Sequence, residues 1–364
     1  MKFNNLFKRI KPHFFYNDKI ICSSNNQIIE IDENYNKRYI VKLNISFLEK
    51  IIFKSNYLSR LLRLGIRSSI HFKDIFFFSF KKKIYSYDVK NNLLSVEHKF
   101  RRGRGPLSYT CLENIDNFDD GLIFGEYFGN NSRDEVHIYK RKKNSEWEII
   151  YTFKKGSINH IHSIVVDKIR NCLWILAGDF DHSSSIWKVE KNFKTIQRVA
   201  YGKQIYRSCF AYPTKEGLIY ATDTQLETNS IRLLKIDGKD IKSEEIHKIN
   251  GTCIYGCELK DYLVFSTSTE PTHHATNKLY LYFDNRPGIG ILKNRSEILL
   301  FNKKDYSLKN ISSFDKDFLP YGLFGLGTIM FPSDSKNNNT LYAFLSGSKN
   351  YDQDTIIYNL DSPI

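Results

Sequence analysis

Short apolar runs recur along almost the whole chain, and turns rich in Asn, Asp, Gly and Lys separate each run from the next. Apolar runs of about four to eight residues between such turns are typical of β-strands. One stretch departs from this pattern, NISFLEKIIFKSNYLSRLLRLG at residues 44–65, and it is predicted to form a helix or an elaborated loop. The rest of the chain is therefore predicted to be all-β.

The strand-like runs fall into repeating units of four. One unit reads LSYTCLEN, GLIFGEYF, EVHIYKR and WEIIYTF, and the next reads HIHSIVVD, CLWILAGD, SSIWKVE and IQRVAYG. Four strands at a period of about 45 residues are the signature of a β-propeller blade. We therefore predict one β-propeller domain over residues 1–364, with four-stranded antiparallel blades from about Ser68 and an insertion near 44–65.

The number of blades follows from the segments at the two ends of the chain. Five units lie in the middle, and one further strand-rich segment lies at each end, which gives seven blades. Six blades would result if the two end segments completed one blade together. In the last of the five units, NKLYLYF and EILLFNK are predicted as the third and fourth strands.

Propeller topology predicts where polar residues meet. Loops between second and third strands lie on the same face of a propeller as the starts of the inner strands. Four such loops, 125–135, 178–185, 222–229 and 268–277, turn abruptly polar after an apolar strand. The candidate catalytic residues at these positions are Glu126, Tyr127, His160, His162, Asp179, Asp223 and Glu227. The candidate substrate-binding residues are Arg104, Tyr206, Arg207, Asn229, Glu270 and Tyr321, with His273 and His274 at the rim.

His160 and His162 are separated by one residue at the start of a predicted inner strand. Alternate residues of a strand share a side and lie about 7 Å apart at Cα, so both imidazoles could bind one metal ion. Asp179 or Asp181 would supply the third ligand. The alternatives are a metal-free role in catalysis or sugar contact, which we prefer, and a structural role through hydrogen bonds. No cofactor is therefore predicted, and a divalent metal is kept as the alternative.

Three further groups of candidates each allow a functional and a structural interpretation. Asp223 and Glu227 could divide general acid and base work on a glycosidic bond, or Asp223 could cap its turn. Tyr127 could be activated by Glu126, or both could be polar residues at a strand end. Arg207 could clamp an anionic ligand or pair with a neighbouring Asp.

Charge and composition narrow the classes of partner that the protein is expected to bind. The chain carries a net charge of +14, but its Lys residues are scattered, and no nucleic-acid-binding motif appears. Nucleic acid is therefore not expected as a partner, whereas an acidic glycan is compatible with the charge. The sequence shows no signal-peptide pattern and no apolar run long enough to span a membrane. A cytoplasmic protein with free thiols is expected, and the oligomeric state stays open; the cysteines are Cys22, Cys111, Cys172, Cys209, Cys253 and Cys257.

The blade period and two stretches, GEYFGNNSRDEVHIYK and IYKRKKNSEWEIIYTF, resemble the sialidase-like propellers with BNR (Asp-box) repeats. The resemblance covers about residues 104–277. Residues 140–147 keep the Trp of the family's Ser-x-Asp-x-Gly-x-x-Trp turn but lack its Asp and Gly, so the Asp-box is degenerate. The family holds a carboxylate with three arginines and uses an acidic acid/base and a Tyr–Glu pair. Arg104-Gly105-Pro106 is similar to its Arg-x-Pro, Arg207 is a candidate second arginine, and no third is placed.

Two functions from different classes follow. The first is a carbohydrate-active propeller that acts on an acidic or amino-sugar glycan, as a glycoside hydrolase or a lyase, through an axial pocket on one face. The second is a non-catalytic propeller that binds a glycan or a protein through the same face. Fold alone does not decide between them.

Overall fold

The computed structural model describes residues 3–238, 240–272, 282–335 and 339–360, with the backbone alone at Asp181. The chain is an all-β propeller of seven four-stranded antiparallel blades, which confirms the predicted fold class and number of blades. Two compact units divide it: one comprises residues 1–65, 224–229 and 248–364, and the other comprises residues 66–223 and 230–247.

The strands and helices follow one another in a simple order. The elements up to the middle of the chain are β1 (Asn5–Phe7), β2 (Lys11–Tyr16), β3 (Lys19–Ser24), β4 (Gln27–Ile31), β5 (Lys37–Lys42), α1 (Phe47–Ile52), α2 (Asn56–Leu61), β6 (Ser69–Phe72), β7 (Ile75–Phe80), β8 (Lys83–Asp88), β9 (Leu93–Lys99), β10 (Thr110–Leu112), β11 (Gly121–Gly125), β12 (Val136–Arg141), β13 (Trp147–Phe153), β14 (His160–Asp167) and β15 (Cys172–Gly178). The remaining elements are β16 (Ser185–Glu190), β17 (Thr195–Tyr201), β18 (Ser208–Pro213), β19 (Gly217–Thr222), β20 (Asn229–Asp237), β21 (Asp240–Ile249), β22 (Thr252–Glu258), β23 (Tyr262–Ser268), β24 (Arg295–Asn302), β25 (Leu308–Asp315), α3 (Tyr321–Phe324), β26 (Thr328–Met330), β27 (Thr340–Ser346) and β28 (Thr355–Asn359), with 3-10 turns at Asp181–Ser183 and Gln204–Tyr206.

The unit that contains residues 66–223 holds four blades, β6–β9, β10–β13, β14–β17 and β18–β21. Strand β15 shows why its sequence is apolar throughout. Leu173 and Ile175 pack against the β10–β13 blade, whereas Trp174 and Leu176 pack against the β18–β21 blade, and all four are fully buried. Successive side chains of a strand point to opposite faces, so a strand covered on both faces has no polar positions.

The other unit holds the blades β2–β5 and β22–β25 and a third blade in the order β1-β28-β27-β26. In this last blade Leu6 of β1 lies opposite Ile356 of β28. The segment from Lys11 onward forms its own blade, so the two ends share one blade and the total is still seven. The ring closure that we considered as a route to six blades therefore involves only the first strand.

One strand assignment was wrong. The residues EILLFNK belong to the third strand of their blade, β24, and the fourth strand is β25. Strand β24 is almost wholly buried and pairs with β23, with Leu299 opposite Phe265, whereas the half-exposed β25 forms the outer edge. The predicted third strand, NKLYLYF, falls largely at residues 277–281, outside the described part of the chain.

The segment predicted to be helical contains α1 and α2. Ser46 caps α1 through a capping box: its Oγ accepts from the Glu49 N–H at 3.3 Å, and its own N–H donates to the Glu49 carboxylate at 2.7 Å. Ser55 caps α2 by accepting from the Leu58 N–H at 3.3 Å. No described helix is both long and apolar enough to cross a membrane.

Candidate functional site

Strand β14 brings its two histidines together by means of a bulge. Its register with β15 pairs His160 with Gly178 and Ile161 with Ala177 and then shifts before Ser163. A bulge leaves one residue unpaired and re-aims its side chain, and here that residue is His162. Asp179 follows directly after β15, so it lies opposite the start of β14. The three side chains meet as the register of this blade predicts.

The polar atoms of these side chains form a small triangle. His160 Nε2 lies 3.0 Å from His162 Nε2. Asp179 Oδ1 lies 3.2 Å from His160 Nε2 and 3.3 Å from His162 Nε2. Both imidazoles are almost fully buried, whereas 25% of the Asp179 side chain is exposed to solvent. Solvent therefore reaches the triangle from the Asp179 side.

Hydrogen bonds on the far side of each ring fix the tautomers. His160 Nδ1 lies 3.0 Å from the carbonyl oxygen of Phe128, and His162 Nδ1 lies 2.9 Å from that of Ser208. A carbonyl oxygen only accepts, so each Nδ1 carries the proton and donates it. In the neutral imidazoles both Nε2 atoms are then lone-pair acceptors. The two Nε2 atoms and Asp179 Oδ1 are thus three acceptors that lie about 3 Å from one another. Only a shared proton or a metal cation relieves their repulsion.

Arg207 links this triangle to a second carboxylate. Its Nη2 lies 3.3 Å from Asp179 Oδ1, and its Nε lies 3.5 Å from Asp223 Oδ2, with both Arg207 and Asp223 buried. Although burial opposes ionisation of Asp179, a proton shared with His160 and His162 and the charge of Arg207 hold its pKa well below the usual range. Asp179 is therefore a carboxylate at any physiological pH, and Arg207 makes the ion pairs that we had considered as the alternative to an anion clamp.

Cys209 completes the surroundings of Asp223. Its Sγ lies 3.2 Å from Asp223 Oδ2. Burial, reinforced by the Asp223 charge, holds the pKa of the Cys209 thiol well above its usual value, so the thiol stays protonated and donates this bond. Asp223 Oδ1 is buried and has no hydrogen-bond partner among the described residues. Cys209, one of the expected free thiols, thus donates a hydrogen bond to a buried carboxylate.

Tyr127 and Glu126, considered as an activated pair, have different partners in the structure. The Tyr127 ring packs on His160, with ring centroids 4.3 Å apart, and the Arg67 guanidinium also lies over this ring, 4.9 Å from its centroid. Burial, followed by the charge of Asp179, raises the pKa of Tyr127, which is the opposite of activation. The Glu126 carboxylate accepts two hydrogen bonds from Arg101, at 3.1 and 2.8 Å, and one from the His137 N–H.

Two residues that shape the triangle were not among the candidates from the sequence. Asn159 Oδ1 accepts from the Asp179 N–H at 3.0 Å and so holds the start of that loop. A Cβ on Gly178 would lie 2.2 Å from His162 Cε1, so only glycine leaves room for this imidazole. The only signals that could have found them are their positions: Asn159 directly precedes the His-Ile-His run, and Gly178 directly precedes Asp179.

The remaining candidates have separate surroundings. Arg104 is partly buried in the loop before β10, and Tyr206 ends the 3-10 turn at Gln204–Tyr206. Four candidates belong to the other unit, where Glu227 is exposed, Glu270 is buried, the Tyr321 hydroxyl donates to Asn294 at 2.7 Å, and Asn229 closes its own loop through Thr224. The side chain of Asp181 and residues His273 and His274 lie outside the described part of the chain.

The triangle fits a metal ion by donor type and by spacing. Ligands bonded at about 2.1 Å with angles from about 90° to about 109° lie about 3.0 to 3.4 Å apart. The observed separations of 3.0, 3.2 and 3.3 Å fall in this range. His162, Cys209 and Asp223 form a second cluster of suitable atoms. That cluster is buried throughout, whereas Asp179 leaves one side of the triangle open to solvent.

No protein-family model and no curated protein matches this sequence. Solved structures do match across nearly the whole chain. Virginiamycin B lyase from Staphylococcus aureus shares 11% identity with a TM-score of 0.57, over 99% of this chain and 98% of its own. Oligogalacturonate lyase from Vibrio parahaemolyticus shares 10% with a TM-score of 0.57, over 98% and 90%. An oligogalacturonate lyase in complex with manganese shares 10% with a TM-score of 0.56, over 96% and 89%. At these identities the likeness concerns the fold alone.

Proposed function

We propose that the protein is a carbohydrate-active propeller that acts on an acidic glycan at a divalent cation held by His160, His162 and Asp179. The observation that carries this proposal is the meeting of two Nε2 lone pairs and one carboxylate oxygen within 3.0–3.3 Å. A likeness in fold to an oligogalacturonate lyase in complex with manganese supports the proposal of an acidic glycan and a divalent cation.

The balance of charge favours an anionic ligand. Without a cation, the Arg207 guanidinium and the shared proton face two carboxylates, Asp179 and Asp223, and the centre has no net positive charge. A divalent cation in place of that proton makes the centre net positive, since three positive charges then face two negative ones. Opposite charges attract strongly in a partly buried site. An acidic glycan is therefore expected to bind only when the cation is present.

Elimination suits the site better than hydrolysis. Hydrolysis of a glycosidic bond uses a carboxylic acid that holds its proton near neutral pH. Among the candidate carboxylates of this unit, Asp179 is ionised, Glu126 is bound by Arg101, and Asp223 is bound by Arg207 and Cys209. In elimination on a uronate, a base removes the C5 proton, the C4–O bond breaks, a C4=C5 double bond forms and the leaving oxygen gains a proton. This route needs no protonated carboxylic acid.

The chain's own residues would prepare such a centre. The carbonyl groups of Phe128 and Ser208 hold the Nδ1 protons, so both Nε2 atoms point at the same place. Arg207 orients the Asp179 carboxylate, and the Tyr127 ring walls one side of His160. A divalent cation bound there would neutralise a substrate carboxylate as a Lewis acid.

The test removes and restores the cation. Protein stripped with a chelator is titrated with Mn²⁺, Zn²⁺, Mg²⁺ or Ca²⁺, and both metal uptake and thermal stability are measured. A metal at 100 times its Kd should stabilise the fold by about 2.7 kcal/mol. Calorimetry with oligogalacturonate should then show binding only in the metal-loaded protein, and turnover should produce the ultraviolet absorbance of a C4=C5 double bond.

Two variants separate the proposal from its rivals. His160→Gln should abolish metal uptake, whereas His182→Gln, which changes an exposed imidazole of the same blade, should leave it unchanged. Metal-dependent binding without any product would favour the non-catalytic propeller. If the protein binds no metal, and binds no oligogalacturonate in the presence of any ion tested, the proposal is wrong. A shared proton then holds the triangle together.

A further inference from the structure

The α1 and α2 region exposes an unusual amount of apolar surface. Six of the 19 exposed large hydrophobic side chains of the described chain lie within residues 47–62. They form what we call the α1–α2 surface: Phe47 (74% exposed), Leu48 (69%), Ile51 (46%), Tyr57 (56%), Leu58 (43%) and Leu62 (53%). Phe47 and Ile51 of α1 are four residues apart, as are Leu58 of α2 and its C-cap residue Leu62, and this spacing places side chains on one face. Clusters of this kind on a folded protein usually mark an interaction site.

Ion pairs and hydrogen bonds attach α1 and α2 to the rest of the protein on the side away from this surface. On α2, Arg60 is buried and pairs with Asp317 at 2.5 Å and with Asp352 at 3.1 Å, and its Nε donates to the Phe324 carbonyl at 3.1 Å. Arg9 donates to the carbonyl groups of Phe53 and Lys54 just after α1. The exposed apolar side chains therefore belong to helices that are anchored on their inner side.

The charges beside this surface are basic. Lys50, Lys54 and Arg63 are exposed within the same segment. The segment's one acidic residue, Glu49, is engaged in the capping box with Ser46. In the part of the chain that the structure describes, neither Lys50 nor Lys54 enters a side-chain ion pair. The partly buried Asp317 and Asp352 are engaged by Arg60, so they do not offset these charges.

We infer that the α1–α2 surface docks on an anionic lipid bilayer, with its apolar side chains in the headgroup region. Apolar side chains flanked by Lys and Arg are the pattern of helices that lie in a membrane interface. An anionic leaflet attracts each Lys or Arg near its surface, and the net charge of +14 adds to this attraction. Charge complementarity thus selects an anionic bilayer over a neutral one. The inference does not depend on the His160 centre.

Sedimentation with lipid vesicles tests this inference on the full chain. The protein should bind vesicles that contain phosphatidylglycerol at least about tenfold more tightly than vesicles of phosphatidylcholine alone, and added salt should weaken this binding. Phe47→Ser/Leu48→Ser and Lys50→Glu/Lys54→Glu should each reduce binding to anionic vesicles about tenfold or more. All four side chains are exposed, so the variants should keep the thermal stability of the parent protein.

The matched control is Leu93→Ser/Val96→Ser, which removes comparable exposed apolar side chains (58% and 51%) from strand β9. It should leave vesicle binding unchanged. An equal loss of binding in this control would show general adsorption and overturn the inference. Absence of vesicle binding at low salt would also overturn it, and dimers lost on Phe47→Ser/Leu48→Ser in sedimentation velocity would instead assign the surface to a second copy of the chain.

Discussion

At the scale of single residues, Gly178 decides whether the histidine triangle can form. A Cβ at this position would lie 2.2 Å from His162 Cε1 and 2.5 Å from its Nε2. We expect Gly178→Ala to displace the imidazole, to destabilise the fold by about 1–3 kcal/mol through overpacking and to abolish metal uptake. Denaturant unfolding and metal titration measure both effects. Gly129→Ala, where a Cβ would meet nothing within 4 Å, is the control, and equal behaviour of the two variants would contradict this explanation.

His13 on β2 makes the stability depend on pH. It is 5% exposed, and its Nε2 lies 2.8 Å from Ser23 Oγ. Burial, followed by the charge of Lys11, holds the pKa of His13 well below 6.5. Below about pH 6.5, His13 takes up a proton in the unfolded chain but stays neutral in the folded chain. The free energy of unfolding therefore falls as the pH falls, by up to about 1.4 kcal/mol per pH unit.

The measurement is the free energy of unfolding in denaturant between about pH 5 and pH 8. His13→Gln should flatten the decline on the acid side by the share of one titrating group, whereas His182→Gln, at an exposed histidine, should leave the slope as it is. An unchanged slope in His13→Gln would mean that His13 takes up its proton equally in both states.

The meeting of His160, His162 and Asp179 was predictable, because blade register places a strand start opposite the loop that follows the next strand. The direction of their ring nitrogens was not. The carbonyl groups of Phe128 and Ser208, 32 and 46 residues away from their partners, set the tautomers. Sequence patterns describe local spacing, whereas these contacts depend on how neighbouring blades pack.

At the scale of elements, the anchoring of α2 depends on Arg60. Its guanidinium is 4% exposed and serves both Asp317 and Asp352. Removing one partner of a buried ion pair leaves charges uncompensated and costs about 3–5 kcal/mol. Arg60→Ala should therefore destabilise the fold by about 3 kcal/mol or more in denaturant unfolding. Lys50→Ala on α1, at an exposed position, should stay within about 0.5 kcal/mol, and a similar value for Arg60→Ala would show that the pair contributes little.

Most strands were predictable, because each blade repeats the same alternation of apolar runs and polar turns. The assignment went wrong in the β22–β25 blade, where the connection between β23 and β24 runs from Thr269 to Asn294. Such a long connection breaks the period on which the prediction relied. The apolar run NKLYLYF lies inside this connection, and a short apolar run alone does not distinguish a strand from other structures.

At the scale of the whole molecule, the first strand completes the last blade. Strand β1 pairs with β28 from Asn5 opposite Ile357 to Phe7 opposite Thr355. Phe7 is 6% exposed and belongs to a cluster with Ile10, Ile20 and Tyr342. The sequence predicted seven blades but not this sharing, because three residues are too few to show a strand pattern.

A chain that begins at Lys8 tests how much this closure contributes. It lacks β1 and leaves the edge of β28 unpaired, so we expect a loss of more than about 3 kcal/mol and a greater tendency to aggregate through the open edge. Phe7→Ala keeps the strand and removes only the buried ring, so it should cost about 3 kcal/mol without the increase in aggregation. Denaturant unfolding and light scattering measure the two effects separately. If both proteins behave alike, the contribution of β1 comes from the Phe7 side chain and not from strand pairing.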